Sequence, residues 1–179
     1  PVEESHGRFR ETVDIVVKAW THDRLTYKGK YFSFDDVEVL PKPLQKPHPP
    51  VWTAASSPGA INWAASEGHS ILMDPHATHV ELGKKWELYR DTLEAHGHSI
   101  EGRQTPMARL LAIAPTENKA IEVAREGAKW LVNTYVPPEM YGDEDPVQRY
   151  VDNVIIHGTP EKVVDELARL KEEIHLDYI

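Results

Sequence analysis

Five prolines in ten residues, Pro41-Lys-Pro-Leu-Gln-Lys-Pro-His-Pro-Pro50, constrain this chain more than any other stretch. Each fixes its own φ and removes a backbone donor, so neither a helix interior nor a sheet interior runs through them. They form a rigid surface approach. It is the best linker candidate in the chain, but nothing flexible flanks it, and it reads as a loop within one domain. What it delivers is Val51-Trp-Thr-Ala-Ala-Ser-Ser-Pro-Gly59. Val51, Trp52 and Thr53 favour a strand, and Ser57 before Pro58 is a helix cap followed by a first-turn proline. Strand, tight turn and helix start are the expected order. The N–H groups left unpaired at such a start, with Ser56 and Ser57 beside them, can hold a phosphate. The simpler alternative, that Ser57 only caps its own helix, comes first on the residues alone.

The same grammar recurs downstream. Ala60, Ala64 and Ala65 suit a helix pressed on a sheet, with Gly68 as its stop. Ser70-Ile-Leu-Met73 is a short buried strand broken by Asp74-Pro75-His76, and Thr78-His-Val-Glu81 has capping-box spacing before a helix running to Gly97. Met107 to Ala114 is a third strand. Thr116 caps the next helix, whose predicted buried face is Ala120, Val123, Ala124, Gly127 and Leu131. An insertion loop is expected near 137–157, Thr159-Pro160 opens the last helix, and His175 to Ile179 starts a further strand. Upstream, Phe9, Val13, Val16, Val17 and Trp20 predict an amphipathic helix over Ser5 to Thr21 with one buried face, and Thr26 to Phe32 a hairpin around Gly29.

Crossovers of this length allow only parallel pairing, so the fold class is α/β. A chain opening on a helix without its strand and closing on a strand without its helix is what a segment cut from a closed barrel looks like. The absence of a starting Met points the same way. With 29 acidic and 20 basic residues, a net charge of -9 argues against a broad nucleic-acid or anionic-membrane surface. Any bound phosphate must then be held locally. There is no cysteine, hence no disulfide framework or thiolate nucleophile, which fits a cytoplasmic location. No apolar run approaches the roughly 20 residues that span a bilayer.

Arg8-Phe-Arg-Glu-Thr-Val-Asp-Ile-Val-Val-Lys-Ala-Trp20, Tyr27-Lys-Gly-Lys-Tyr-Phe32, Leu40 to Trp52 and Ala55-Ser-Ser-Pro58, in that order and spacing, resemble the bacterial luciferase-like, flavin-dependent monooxygenases. Tyr89-Arg90, Ile113-Ala114 and Gly158-Thr-Pro-Glu-Lys-Val163 are similar to later landmarks of that family, so the resemblance covers nearly all of residues 1–179. It implies the C-terminal half of a (β/α)8 TIM barrel, roughly strands five to eight in one partial domain, with flavin at the C-terminal strand ends. It further implies reduced FMN supplied by a flavin reductase, molecular oxygen and a small organic substrate, in a homo-oligomer. By the same resemblance Ser57 contacts the flavin phosphate with Ser56 and Ala55 beside it, and Leu72 and Asp74 border the flavin ring. Some relatives carry an acid where this chain has Ser56. Phosphate binding now moves ahead of the cap-only reading at Ser57, and the two are compatible. Two alternatives stand beside the monooxygenase: a deazaflavin-dependent oxidoreductase of the same fold, and a half-barrel subunit without activity of its own.

Other signals are weaker. His76 and His79 lack a third metal ligand at a recognisable spacing, and His76 keeps only a minor claim on the substrate pocket. His96 and His98 suit a helix end. Trp20, Trp63, Trp86 and Trp130 read as core, and Asp35-Asp36 and Asp143-Glu144-Asp145 as solvated loops. No catalytic residue is assigned.

Overall fold

A computed structural model describes residues 2–136 and 144–174. The chain divides into two compact units between Pro50 and Val51, and the boundary falls where the proline-rich approach ends.

In the first unit a short 3-10 turn, Val2–Glu4, leads into α1 (Ser5–Thr21), followed by β1 (Arg24–Lys28) and β2 (Ser33–Glu38) paired antiparallel. The hairpin turn is held by one carboxylate. Glu11 accepts the backbone N–H groups of Lys30, Tyr31 and Phe32 at 3.1, 3.1 and 2.7 Å. Gly29 makes room for it, since a Cβ there would stand 1.9 Å from Glu11 Oε1. A Cβ on Gly7 would likewise come within 2.7 Å of the Tyr31 hydroxyl. The expected buried face of α1 is only partly realised: Phe9 is 49% exposed, and Ala19 is its buried residue. Period alone cannot say whether a stripe is covered when the neighbouring element is a narrow hairpin. Lys42 closes the end of α1 by donating to the carbonyls of Ala19 and His22 at 2.8 and 2.6 Å.

The second unit carries the parallel α/β part. β3 (Trp52–Ala54) pairs in parallel with β4 (Ser70–Leu72), in the register Trp52 to Ser70, Thr53 to Ile71 and Ala54 to Leu72. An isolated parallel bridge joins Met73 to Met107, with the Met73 N–H on the Pro106 carbonyl at 3.0 Å. β5 (Leu111–Ile113) then pairs in parallel with β6 (Ile156–Gly158). The helices between them are α2 (Pro58–Ser66), α3 (His79–Ala95), α4 (Glu117–Tyr135), α5 (Pro146–Asn153) and α6 (Pro160–Ile174).

Each helix starts where local chemistry allows. Ser57, Thr78, Thr116 and Asp145 supply side-chain caps, and Thr78 with Glu81 completes a capping box. Gly68 takes a φ of +69° just past α2. One core gathers Ile61, Ala64, Ile71, Leu82, Tyr89 and Leu170, and a second gathers Ala112 with Ala124, Ala128, Leu131 and Val154. Tyr89 is fully buried and donates its hydroxyl proton to the His69 carbonyl at 2.8 Å.

Four expectations are corrected here. The span read as an insertion loop holds α5 and β6, because Asp145 and Pro146 are a cap and first-turn proline and Val154-Ile-Ile156 is a buried apolar run. Within Met107 to Ala114 only Leu111–Ile113 forms a strand, Met107 making a single bridge. On α4 the buried stripe is Ala120, Ala124, Ala128, Leu131 and Val132, which leaves Val123 and Gly127 exposed and Trp130 62% exposed against Tyr135 rather than in the core. The strand expected at 175–179 and the loop segment 137–143 lie outside the described residues.

Candidate functional site

Parallel strands all point their C-terminal ends the same way, and in such sheets ligands collect at that edge. Here the edge carries the residues singled out above. Ala55, buried, extends β3 by donating its N–H to the Leu72 carbonyl at 3.3 Å. Ser56 and Ser57 follow and are exposed. Ser57 sits in the extended conformation expected of a cap, with φ of -89° and ψ of 151°, and its Oγ accepts the Ala60 N–H at 3.3 Å. That bond is long. The hydroxyl proton is left to donate outward, and a Cβ on Gly59 would meet nothing within 4 Å, so the first turn of α2 is open on that side. Leu72, 38% exposed, is the register partner of Ala54, and Asp74 comes just after it. The structure thus brings Ala55, Ser56, Ser57, Leu72 and Asp74 to the ends of two adjacent strands.

Asp74 is built into its loop. Its Oδ1 accepts the His76 N–H at 2.9 Å and its Oδ2 accepts Lys85 Nζ at 3.2 Å. Burial pushes the carboxyl upward, but these donors and the nearby charges hold it below its ordinary value, so it is ionised at neutral pH. His76 is exposed, its Nδ1 lying 3.3 Å from the hydroxyl of buried Tyr150 on α5. Glu81 is similarly held low, against its partial burial, by the Thr78 cap and Arg149. A cavity of about 390 Å³ opens here, lined by Asp74, His76, Lys85, Arg149 and Tyr150 among others. A larger one of about 690 Å³ is lined by His79, His157, Lys162 and Glu166. It contains none of the five strand-end residues, and two of its charged groups are engaged in ion pairs, Glu166 with Arg169 and Lys162 with Glu117. The smaller cavity, which Asp74 lines, is the one adjoining the candidate site.

One residue beside the candidate site escaped the sequence reading. Arg109 is half-buried, and its Nη2 donates to the carbonyls of Ala77 and Val154 at 3.0 and 2.6 Å while Nη1 reaches those of Asp74 and Pro75 at 3.5 and 3.4 Å. Burial pushes it down to about 10, partly offset by Asp74, so it stays charged at neutral pH. The signal was present: a lone arginine inside the apolar run Met107-Ala-Arg-Leu-Leu is a charge that must find partners indoors. His79, at the first position of α3, is pushed by burial and by the charge of Arg109 down to about 4, against the pull of Glu166. It is neutral at pH 7, and its 3.7 Å approach to Glu166 is not an ion pair there. Among the described residues no group of three or more His, Asp or Glu is arranged to hold a metal, and no helix is long and apolar enough to cross a membrane.

Helix crossovers between parallel strands, with a serine-capped helix start at the strand ends, define a barrel-type α/β chain, a fold in which ligands gather at that edge. The chain belongs to the family described as luciferase-like monooxygenase, which matches residues 1–177. It is 25% identical over 182 residues to an F420-dependent glucose-6-phosphate dehydrogenase of Microbacterium testaceum, covering 93% of this chain and 52% of that protein. To an FMNH2-dependent dimethylsulfone monooxygenase of Pseudomonas putida it is 24% identical over 192 residues, covering 94% and 51%. The crystal structure of monooxygenase RslO1 from Streptomyces bottropensis superposes with a TM-score of 0.74 at 24% identity, over 99% of this chain and 54% of that one. The fold is a luciferase-like half-barrel, and the chain spans about half the length of these curated relatives.

Proposed function

We propose that this chain forms the flavin-phosphate side of a flavin-dependent monooxygenase that uses reduced FMN and oxygen on a small organic substrate. The carrying observation is Ser56-Ser57 at the open N-terminus of α2, one strand away from Leu72 and Asp74. A phosphate dianion suits that position: the exposed hydroxyls and the Gly59 N–H can donate to it, Pro58 carrying no N–H and that of Ala60 being bonded to Ser57, and the helix dipole favours it. The site is local, as a chain of net charge -9 requires. Leu72 would offer an apolar contact to the ring, and ionised Asp74, held by Lys85, a fixed acceptor beside it. When bound, FMN supplies the redox chemistry with oxygen, and the protein binds, orients and shields it.

Relatives named for FMNH2 and for F420, a deazaflavin, both support an oxidoreductase of this fold. A reductase partner and a homo-oligomer belong to the same reading. Titration of the purified protein with FMN and, separately, with F420, followed by flavin fluorescence, tests it. Saturable FMN binding that Ser57→Ala weakens supports the proposal. Binding of F420 alone turns the reading to the deazaflavin class, and binding of neither withdraws it.

A further inference from the structure

Arg109 touches both walls of the cavity beside Asp74. One wall is the loop after β4, where the guanidinium meets the carbonyls of Asp74, Pro75 and Ala77. The other is α5 with its exit, where Val154 accepts from the same Nη2 that serves Ala77. These are backbone carbonyls, so the contact fixes the path of the chain rather than the rotamer of one side chain. The loop it holds carries Asp74 and His76, and α5 carries Arg149 and Tyr150, all four lining the cavity. Two further links cross the same gap, Tyr150 to His76 at 3.3 Å and Arg149 to Glu81 at 3.0 Å. Both end on exposed side chains, His76 and Glu81, where water competes. The Arg109 links are shielded, and a planar fork with several fixed donors is what two diverging carbonyls require.

We propose that Arg109 is a positioning residue for the candidate site: by bonding the backbone of both walls it sets where Asp74 and His76 stand and how wide the cavity beside them is. This rests on the flavin reading for its functional meaning and on the geometry alone for the tether. Arg109 touches no reacting atom in this account. A lysine keeps the charge but cannot reproduce the planar fork, so Arg109→Lys separates charge from geometry.

The experiment reads two signals. Amide hydrogen exchange at His76, Ala77 and Ile155 rises about tenfold or more in Arg109→Lys, while the buried helix amides around Ile61 and Leu82 keep their protection. In a Tyr150→Phe control the loop amides stay within about threefold of wild type. If Arg109→Lys does not fold, the unaltered protein decides the matter: Arg109 Nη protons resolved, slow to exchange and close to Ala77 and Val154 by NMR support the tether, and a freely rotating guanidinium overturns it. The second signal is FMN. Arg109→Lys shifts the absorption band of bound FMN while its affinity stays within about threefold, because the phosphate contacts lie on α2 and not on the tethered loop. Unchanged exchange and an unchanged FMN band overturn the role of Arg109. Failure of the wild-type protein to bind FMN overturns the flavin reading instead, on a separate signal.

Discussion

Removing the Ser57 hydroxyl takes one acceptor from the Ala60 amide and one donor from the open side of α2. The first loss is an ordinary cap loss at an exposed site, about 1 kcal/mol or less given the 3.3 Å bond. Thermal unfolding of Ser57→Ala should therefore change little, whereas FMN affinity should fall about tenfold, the scale of one hydrogen bond to a charged group. Equal FMN affinity in the two proteins removes Ser57 from the site. His79 gives a second prediction at this scale. Its folded value of about 4 lies below the ordinary 6.5, so the unfolded chain takes up its proton first as the solution is acidified. His79 leaves stability unaffected well above pH 6.5 and lowers it between 6.5 and 4, by about 3 kcal/mol in all. Urea unfolding across that window should show the drop, and His79→Gln should flatten it. A slope that persists in the variant assigns it to another group.

Within the first unit, the hairpin depends on a contact between elements rather than on its turn residues. Glu11 on α1 takes three successive amides of the Tyr27-Lys-Gly-Lys-Tyr-Phe32 segment, and Gly29 is there because a Cβ would collide with that carboxylate. Glu11→Ala should cost about 2 kcal/mol, since the bonds lost are to a charged acceptor, and Gly29→Ala should destabilise by displacing the same carboxylate. Denaturant unfolding followed by far-UV circular dichroism checks both. A neutral Glu11→Ala contradicts this account of the hairpin. Gly29 was legible as a turn residue, but its partner was not, because nothing local ties position 11 to positions 30–32. The caps were legible because their chemistry lies within four residues: Ser57-Pro58, Thr78 with Glu81, and Thr116 all start helices where expected. α5 and β6 were missed because acid and proline before Val147 read as loop until Asp145 is seen capping. The buried stripe of α4 was misplaced at Val123 and Gly127, since alanines at 120, 124 and 128 carry too little apolar contrast to fix a face. Of the candidate site, the cap pattern pointed to Ser56 and Ser57 and the family resemblance to Ala55, Leu72 and Asp74, and the strand pairing puts all five at one edge. Arg109 needed the fold, because its four acceptors come from residues 74–77 and 154.

At the scale of the whole molecule, membership of the luciferase-like monooxygenase family and the half-barrel fold agree with the alternation of capped helices and short parallel strands. Its relatives include proteins named for FMNH2 and for F420, so the cofactor is decided by binding rather than by fold. The central claim is that a flavin phosphate is held at the start of α2. FMN and riboflavin differ by that phosphate alone, which makes their relative affinity for the purified protein the most direct test. FMN should bind at least about ten times more tightly than riboflavin, with the advantage lost in Ser57→Ala. Equal binding of the two flavins, or an FMN advantage that survives Ser57→Ala, contradicts it.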